Sequence, residues 1–355
     1  MSDSAKRIVI LGATGSIGDN TLNVVRQHRD KLKIVGVACN RSHEKLAAIC
    51  EEFDVPSAAI YDEKAFAEAK QSGNFTDREL LCGMEGLEEL SCKQSVDTVL
   101  VAVVGTLGLQ PALSAVQHGK DLALASKEIL VMAGKFFTEA VTKAGVRLLP
   151  VDSEHNAIFQ CLHGESRSSL ERIILTASGG TFRDRPLDTF DSITSEEAVQ
   201  HPNWSMGKKI TVDSATMANK GLEVIEAHWL FDLPGDQIKV MIHPGSIIHS
   251  LVEFIDGSIL AQLSPPTMTF AIQHALLYPE RSERTEPSLN FEEHLNLDLR
   301  PPDLERYPCL RLAYESLENG GIYPTAFNAA NEIGVDAFLK RRLASSRFRK
   351  LSRKP

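Results

Sequence analysis

The chain lacks any stretch able to cross a bilayer as a helix. Its most apolar run, residues 96–109, is broken by Asp97, Gly105 and Gly108, whereas a span needs about 20 consecutive apolar residues. Residues 1–7 lead straight into the short apolar run 8–11, which is too brief for the core of a secretory signal. The six cysteines, Cys39, Cys50, Cys82, Cys92, Cys161 and Cys309, form no C-x-x-C pair and have no histidine at zinc-finger spacing. They therefore read as reduced packing residues rather than a disulfide or zinc framework. Positive charge is also scarce: the formal net charge of −9 argues against a general nucleic-acid binder, which needs an attractive field toward phosphate. What remains is a cytoplasmic globular protein with no membrane partner, and 355 residues are enough for two or three domains with a real core.

The first half alternates strands and helices. Residues 8–11 (Ile-Val-Ile-Leu) suit a parallel strand buried on both faces. They run into Gly12-Ala13-Thr14-Gly15-Ser16-Ile17-Gly18 and then a helical stretch, 19–27. Glycines in that context permit a tight turn and close backbone approach to a pyrophosphate, whose charge meets the free N–H groups of the helix start. A second strand, 33–38, ends in Cys39-Asn40-Arg41-Ser42 with no acid before Glu44. An acid there would hold the ribose 2′-hydroxyl of NAD; Arg41 instead suits a 2′-phosphate, which favours NADP. Strands at 57–61, 98–104, 122–125 and 146–151, with helices at 43–53, 64–72, 111–119 and 128–145 between them, predict a Rossmann-like, doubly wound parallel sheet over residues 1–150. Ligands of such sheets gather beyond the carboxyl ends of the strands. Ser126-Lys127-Glu128 and the acidic stretch Asp152-Ser153-Glu154-His155 both lie there.

Read as an extended segment, the acidic stretch would project Asp152 and Glu154 to one side. Two adjacent carboxylates repel, so they are a solvated strand end, a proton-sharing dyad, or ligands of a divalent metal. Residues 151–290, expected as an α/β catalytic domain, hold further chemistry. The strand 172–176 is followed by Ala177-Ser178-Gly179-Gly180, a turn that can form a nest of N–H groups for phosphate or be simply a hairpin. The loop His201-Pro202-Asn203-Trp204-Ser205-Met206-Gly207 carries one of two tryptophans, a lid candidate. Residues 211–231 read as one helix with Ser214 at its positive end and Asn219, Lys220 and Glu223 on one face. Gly221 in its middle suggests close approach by another group. Ser178, Ser214, Asn219 and Lys220 would suit a phosphate, and Glu223 could join Asp152 and Glu154. An all-oxygen set of that kind suits Mg²⁺ or Mn²⁺.

These motifs resemble the 1-deoxy-D-xylulose 5-phosphate reductoisomerase family, on Gly-Ala-Thr-Gly-Ser-Ile-Gly (12–18), Pro-Val-Asp-Ser-Glu-His (150–155), His-Pro-Asn-Trp-Ser-Met-Gly (201–207), Val-Asp-Ser-Ala-Thr-Met (212–217) and Asn-Lys-Gly-Leu-Glu (219–223). The resemblance implies metal ligation by Asp152, Glu154 and Glu223, with Mg²⁺, Mn²⁺ or Co²⁺ as the ion. It implies phosphate binding by Ser178, Ser214, Asn219 and Lys220, contact of Lys127 and Ser153 with substrate hydroxyls, and Trp204, His201 and His249 around the substrate. Cofactor contacts are expected at Thr14, Gly15, Ser16, Ile17, Ala38, Asn40, Arg41, Ser126, Glu128 and Gly207. The implied reaction rearranges a ketose phosphate and reduces it with NADPH, giving 2-C-methyl-D-erythritol 4-phosphate; a homodimer is the default assembly. Departures from the family pattern are Ser126, Ile129, Gly245 and the lid segment Ser264-Pro265-Pro266-Thr267-Met268-Thr269. From the residues alone two rivals stay open: another NADP-dependent reductase of a phosphorylated carbonyl compound, and a binding protein without turnover.

Residues 291–308, rich in charge and proline, read as a surface linker. Two amphipathic helices follow, 309–319 and 325–339, the second containing Asn328-Ala329-Ala330-Asn331-Glu332. The family continues into a helical bundle, so 309–355 reads as a shortened, truncated helical region. It ends in a basic tail, 340–355, with eight basic residues and no acid, expected as an unstructured extension.

Overall fold

The computed structural model of the chain describes residues 5–204 and 206–342. The first elements are β1 (Lys6–Leu11), α1 (Ser16–Gln27), β2 (Leu32–Cys39), α2 (His43–Phe53), β3 (Ser57–Ile60), α3 (Glu63–Ser72), β4 (Glu79–Cys82), α4 (Gly83–Cys92) and β5 (Thr98–Val101). Next come α5 (Leu109–Gln117), β6 (Asp121–Leu124), α6 (Glu128–Ala144), β7 (Leu148–Pro150), α7 (Ser153–Cys161), β8 (Leu170–Ala177), α8 (Ser195–Ala198), α9 (Lys208–Thr216) and α10 (Ala218–Phe231). The chain continues through β9 (Ile238–Ile242), β10 (Ile248–Phe254), β11 (Ile259–Leu263), α11 (Thr269–Leu277), α12 (Pro308–Asn319) and α13 (Tyr323–Leu339). No described helix is long and apolar enough to cross a membrane.

Two compact units form. The first comprises the described residues up to Ile129, with Lys135–Asn156 and Met268–Pro287. Its parallel sheet runs β4-β3-β2-β1-β5-β6-β7, and Ile8, Val9, Ile10 and Leu11 of β1 are wholly buried, as expected of a strand covered on both faces. Strand order reverses between β1 and β5, the crevice where α/β sheets bind ligands. Gly12 (φ +94°) fills that point, because a Cβ there would collide with the Ala102 carbonyl beyond β5. The N–H groups of Gly12 and Ala13 donate to Ala38 O at 3.0 and 2.9 Å, tying the turn to the end of β2. Helix α11 belongs to this unit: Thr269 Oγ1 donates to Asn20 Oδ1 (3.1 Å) and Lys6 Nζ to Leu276 O (2.6 Å).

The second unit comprises Leu130–Gly134, Ala157–Thr267 and the described residues from Ser288 onward. Its sheet runs β11-β10-β8-β9, antiparallel except for β8 with β9. Helix α10 is buried around most of its circumference; Val224, Ala227 and Phe231 join Ile173, Leu175, Ile238 and Val240 in the core. A Cβ on Gly221 would stand 2.6 Å from Ala313 Cβ of α12. The close approach anticipated at that glycine is therefore made by a neighbouring helix.

Several expectations are corrected. The cuts at 150, 290 and 308 are not those of the compact units, because α11 returns to the first unit across a long sequence separation. Residues 291–308 are more than a linker: Ile242 and Arg300 exchange both backbone hydrogen bonds (2.7 and 2.8 Å), and Tyr307 is buried with its hydroxyl donating to Gly179 O at 2.9 Å. Residues 211–231 are two helices, split by Met217 in the left-handed region (φ 59°), so Ser214 lies in the last turn of α9 and not at a positive helix end. The acidic stretch, expected as extended, instead enters a helix at Ser153 that runs to Cys161. Residues 79–92 form a strand and helix that the sequence pattern did not announce. The basic tail beyond residue 342 lies outside the described residues.

Candidate active site

In the first unit, β7 ends at Pro150 and α7 starts at Ser153, anchored by Asn156 N to Asp152 O (2.8 Å) and Asn156 Nδ2 to Pro150 O (2.8 Å). Asp152 thus precedes a helix and Glu154 occupies its first turn, where the positive helix end favours anions. The alternate-face geometry expected of a strand does not apply, yet one carboxylate oxygen from each lies within 4.8 Å of the other. Lys127, 6% exposed and placed by the end of β6, brings Nζ to 2.5 Å from Asp152 Oδ2. That oxygen is buried, so the ion pair is shielded from water. Ser153 Oγ donates to Glu154 Oε2 at 2.6 Å.

The glycine-rich turn leaves α1 with Gly15 as its cap and no side-chain cap bond, so its leading N–H groups stay available for an anion. Thr14 and Ile17 are partly buried, and Gly15, Ser16, Asn40 and Arg41 are exposed at the ends of β1 and β2. Arg41 Nε donates to Asp62 Oδ2 at 2.8 Å. The Ala65 N–H at Asp62 and the Arg41 guanidinium hold the Asp62 carboxyl below its usual range. Ser126 turns its hydroxyl onto Val103 O (2.6 Å), and Glu128 opens α6.

In the second unit, β8 delivers Ser178-Gly179-Gly180, with both glycines at positive φ. Ser178 Oγ lies 2.9 Å from His201 Nε2 and 3.5 Å from Ser214 Oγ, and accepts Gly180 N–H at 3.1 Å. His201 Nδ1 accepts the N–H groups of Asn203 (3.1 Å) and Trp204 (3.0 Å). Nδ1 therefore carries no proton and Nε2–H donates to Ser178, leaving the serine's own proton for another acceptor. Burial, and secondarily Arg183, lowers the His201 pKa to about 4; the ring is neutral at pH 7. On α10, Asn219 Nδ2 donates to Glu223 Oε1 at 2.5 Å, and Lys220 is ion-paired with Glu223. Trp204 meets His249 edge-on with centroids 6.4 Å apart, and Ser264 Oγ stands 2.9 Å from His249 Nε2. Gly207 caps α9. Ser264 and Tyr307, which acts on the carbonyl of Gly179, were not singled out as site residues; a serine and a tyrosine in loops carry no spacing signal.

The sequence matches a model of 1-deoxy-D-xylulose 5-phosphate reductoisomerase over residues 8–134 and models of that enzyme's C-terminal domains over 148–231 and 263–353. The chain belongs to the 1-deoxy-D-xylulose 5-phosphate reductoisomerase family. The reductoisomerase of Clostridium novyi is 49% identical over 336 residues, covering 94% of this chain and 87% of that protein. That of a Geobacillus species is 51% identical over 340 residues, covering 96% and 89%. A crystal structure of DOX-P reductoisomerase in complex with NADPH, fosmidomycin and magnesium superposes with a TM-score of 0.93 at 42% identity, covering 98% of this chain and 88% of that one. The reductoisomerase from Zymomonas mobilis in complex with NADPH gives 0.92 at 42% identity, covering 99% and 91%. As a reductoisomerase-family member, the chain is an enzyme on an α/β scaffold with a Rossmann-like first unit.

Proposed function

We propose that the chain rearranges 1-deoxy-D-xylulose 5-phosphate and reduces it with NADPH to 2-C-methyl-D-erythritol 4-phosphate, a step of non-mevalonate isoprenoid synthesis, and that Asp152, Glu154 and Glu223 hold the divalent cation. The family match over nearly the whole chain carries the reaction. The adjacent carboxylates of Asp152 and Glu154, one oxygen of each within 4.8 Å of the other, carry the metal assignment. Hard oxygen donors of this kind fit Mg²⁺ or Mn²⁺, and Co²⁺ less well. When bound, such an ion stabilises negative charge on substrate oxygens while a carbon–carbon bond is broken and remade.

The chain's own residues do the rest. The Ser178 hydroxyl, which accepts from His201 and keeps its own proton to donate, joins Ser214, Asn219 and Lys220 in binding phosphate. Binding energy from that remote group orients the reacting carbons. Lys127 and Ser153 engage substrate hydroxyls, Trp204 and His249 exclude water, and the glycine turn with Arg41 takes NADPH. All six cysteines are free, which supports a cytoplasmic location. Strand β11 is a sheet edge with Ile259 51% and Leu260 44% exposed, which supports a homodimer paired through that edge.

Product analysis tests the reading. With Mg²⁺, NADPH oxidation must accompany formation of the branched product. Glu223→Gln should abolish turnover while NADPH affinity changes by less than about threefold. Reduction without skeletal rearrangement would favour a plain reductase of a phosphorylated carbonyl compound.

A further inference from the structure

The motif Asn328-Ala329-Ala330-Asn331-Glu332 has no part in the reaction described above, yet Asn331 reaches the phosphate-binding side of the second unit. Helix α9 carries Ser214, and the residue beside it, Asp213, is 1% exposed. The Asp213 carboxylate meets Lys209 Nζ at 2.9 Å, one turn back on α9, and Asn331 Nδ2 at 2.8 Å, from α13. Lys209 shares Asp213's helix and moves with it. Asn331 is a tertiary tie that acts on Asp213 through its amide donor, its own Oδ1 being buried without a hydrogen-bond partner among the described residues.

Apolar packing contributes to holding α9 in place. Val212 and Ala215 join Phe182, Val335 and Phe338 in a small cluster. Alongside it lies a cavity of about 70 Å³, bordered by Val212, Ala215, Thr216, Phe190, Cys309 and Phe338 among others. Apolar contacts are non-directional and resist a small displacement of the helix only weakly. A charge-assisted hydrogen bond in a buried setting does resist it. The position of α9 is read out at once by the anion cradle: Ser214 Oγ faces Ser178 Oγ at 3.5 Å, and the backbone of Ala215 lies so close to Gly180 that a Cβ there would be 2.5 Å from Ala215 Cα.

We propose that Asn331, acting through Asp213, is a positioning residue that sets Ser214 against Ser178 for the substrate's phosphate. The proposal rests on the phosphate reading of Ser178 and Ser214. The test compares kcat and KM for 1-deoxy-D-xylulose 5-phosphate and for its dephosphorylated counterpart. The variants are Asn331→Ala, Asn331→Asp, Asp213→Asn and the exchange Asp213→Asn with Asn331→Asp, with Ser214→Ala as reference. Asn331→Ala should raise KM for the phosphorylated substrate about tenfold, with kcat and kcat/KM for the dephosphorylated compound changed less than about threefold. Asn331→Asp, which sets two buried carboxylates against each other, should be worse, and the exchange should recover to within about threefold of wild type. If Asn331→Ala does not fold, Asn331→Ser carries the same expectation. An unchanged KM in folded Asn331→Ala, or equal losses with both substrates, or no recovery in the exchange, overturns the proposal. If Ser214→Ala also leaves KM unchanged, the phosphate reading itself fails; if Ser214→Ala raises KM and Asn331→Ala does not, only the positioning role fails.

Discussion

Lys220 and Glu223 are each other's charge partner on α10, at 3% and 1% exposure. Opposite charges removed from water depend on one another, and separating them without replacement partners is costly. The proposed function assigns Lys220 to phosphate and Glu223 to the cation, so each ligand replaces the partner that the other withdraws. The two ligands should therefore bind cooperatively, and the coupling must be reciprocal.

The corresponding measurement is calorimetric titration of inorganic phosphate with and without Mg²⁺. Affinity should rise between about 5- and 150-fold when Mg²⁺ is present. The gain should vanish in Glu223→Gln. Equal phosphate affinity in wild type under both conditions would show that the pair does not couple the two sites.

His201 gives a pH dependence of definite sign. Its folded pKa of about 4 lies below the ordinary 6.5, chiefly through burial. Between those values the unfolded chain takes up a proton that the folded chain refuses, so stability falls as pH drops through that window. Above 6.5 both forms are neutral and the residue contributes no slope. Denaturant midpoints measured at pH 7, 5.5 and 4.5 should decline, and His201→Gln should flatten part of the decline. An identical pH profile in His201→Gln would show that the histidine titrates alike in both states.

The first unit was largely legible in the sequence because its strands are short apolar runs that alternate with longer helical stretches. The 43–53 helix was read to the residue, and the glycine turn fell where the geometry requires it. What escaped depends on partners far away in the chain. Strand β4 is only half buried, so Glu79-Leu80-Leu81-Cys82 shows neither alternation nor a full apolar run. The start of α7 was hidden because Pro150-Val151-Asp152 reads equally as strand or helix entry, and a short segment cannot separate the two periods. The break at Met217 rests on one left-handed methionine, a conformation no residue pattern announces. Within the second unit, the pairing of Asn219 and Lys220 with Glu223 was legible because helix spacing alone dictates it. The bond from Asn331 to Asp213 crosses 118 residues and was not.

Gly180 should tolerate no side chain. At φ +69° an alanine Cβ would lie 2.5 Å from Ala215 Cα and 2.6 Å from Ser214 O. The left-handed conformation costs about 1–2 kcal/mol for a non-glycine residue, and overpacking adds about 1–3 kcal/mol. Gly180→Ala should therefore lose about 2–5 kcal/mol in denaturant unfolding. Whatever folded enzyme remains should show a raised KM for the phosphorylated substrate, because relief of the clash displaces Ser214. A fully stable variant with wild-type KM would show that α9 yields without consequence.

Arg41 should set the preference between the two nicotinamide cofactors. It follows β2 at the edge where a ribose would lie, and it is exposed. Its Nε is held by Asp62, and Asp62 is fixed in turn by capping α3 through the Ala65 N–H at 3.0 Å. That arrangement uses one edge of the guanidinium and leaves the terminal nitrogens to meet a 2′-phosphate, for which a planar fork is well suited. Arg41→Ala should weaken NADPH binding about tenfold and leave NADH binding nearly unchanged, in line with loss of one charge-assisted contact. Asp62→Ala, by freeing the guanidinium, should weaken NADPH binding less than Arg41→Ala does. The check is a pair of fluorescence titrations, NADPH and NADH, on each variant. If Arg41→Ala shifts both cofactors alike, the arginine serves the loop rather than the phosphate, and selectivity must come from another residue beside β2.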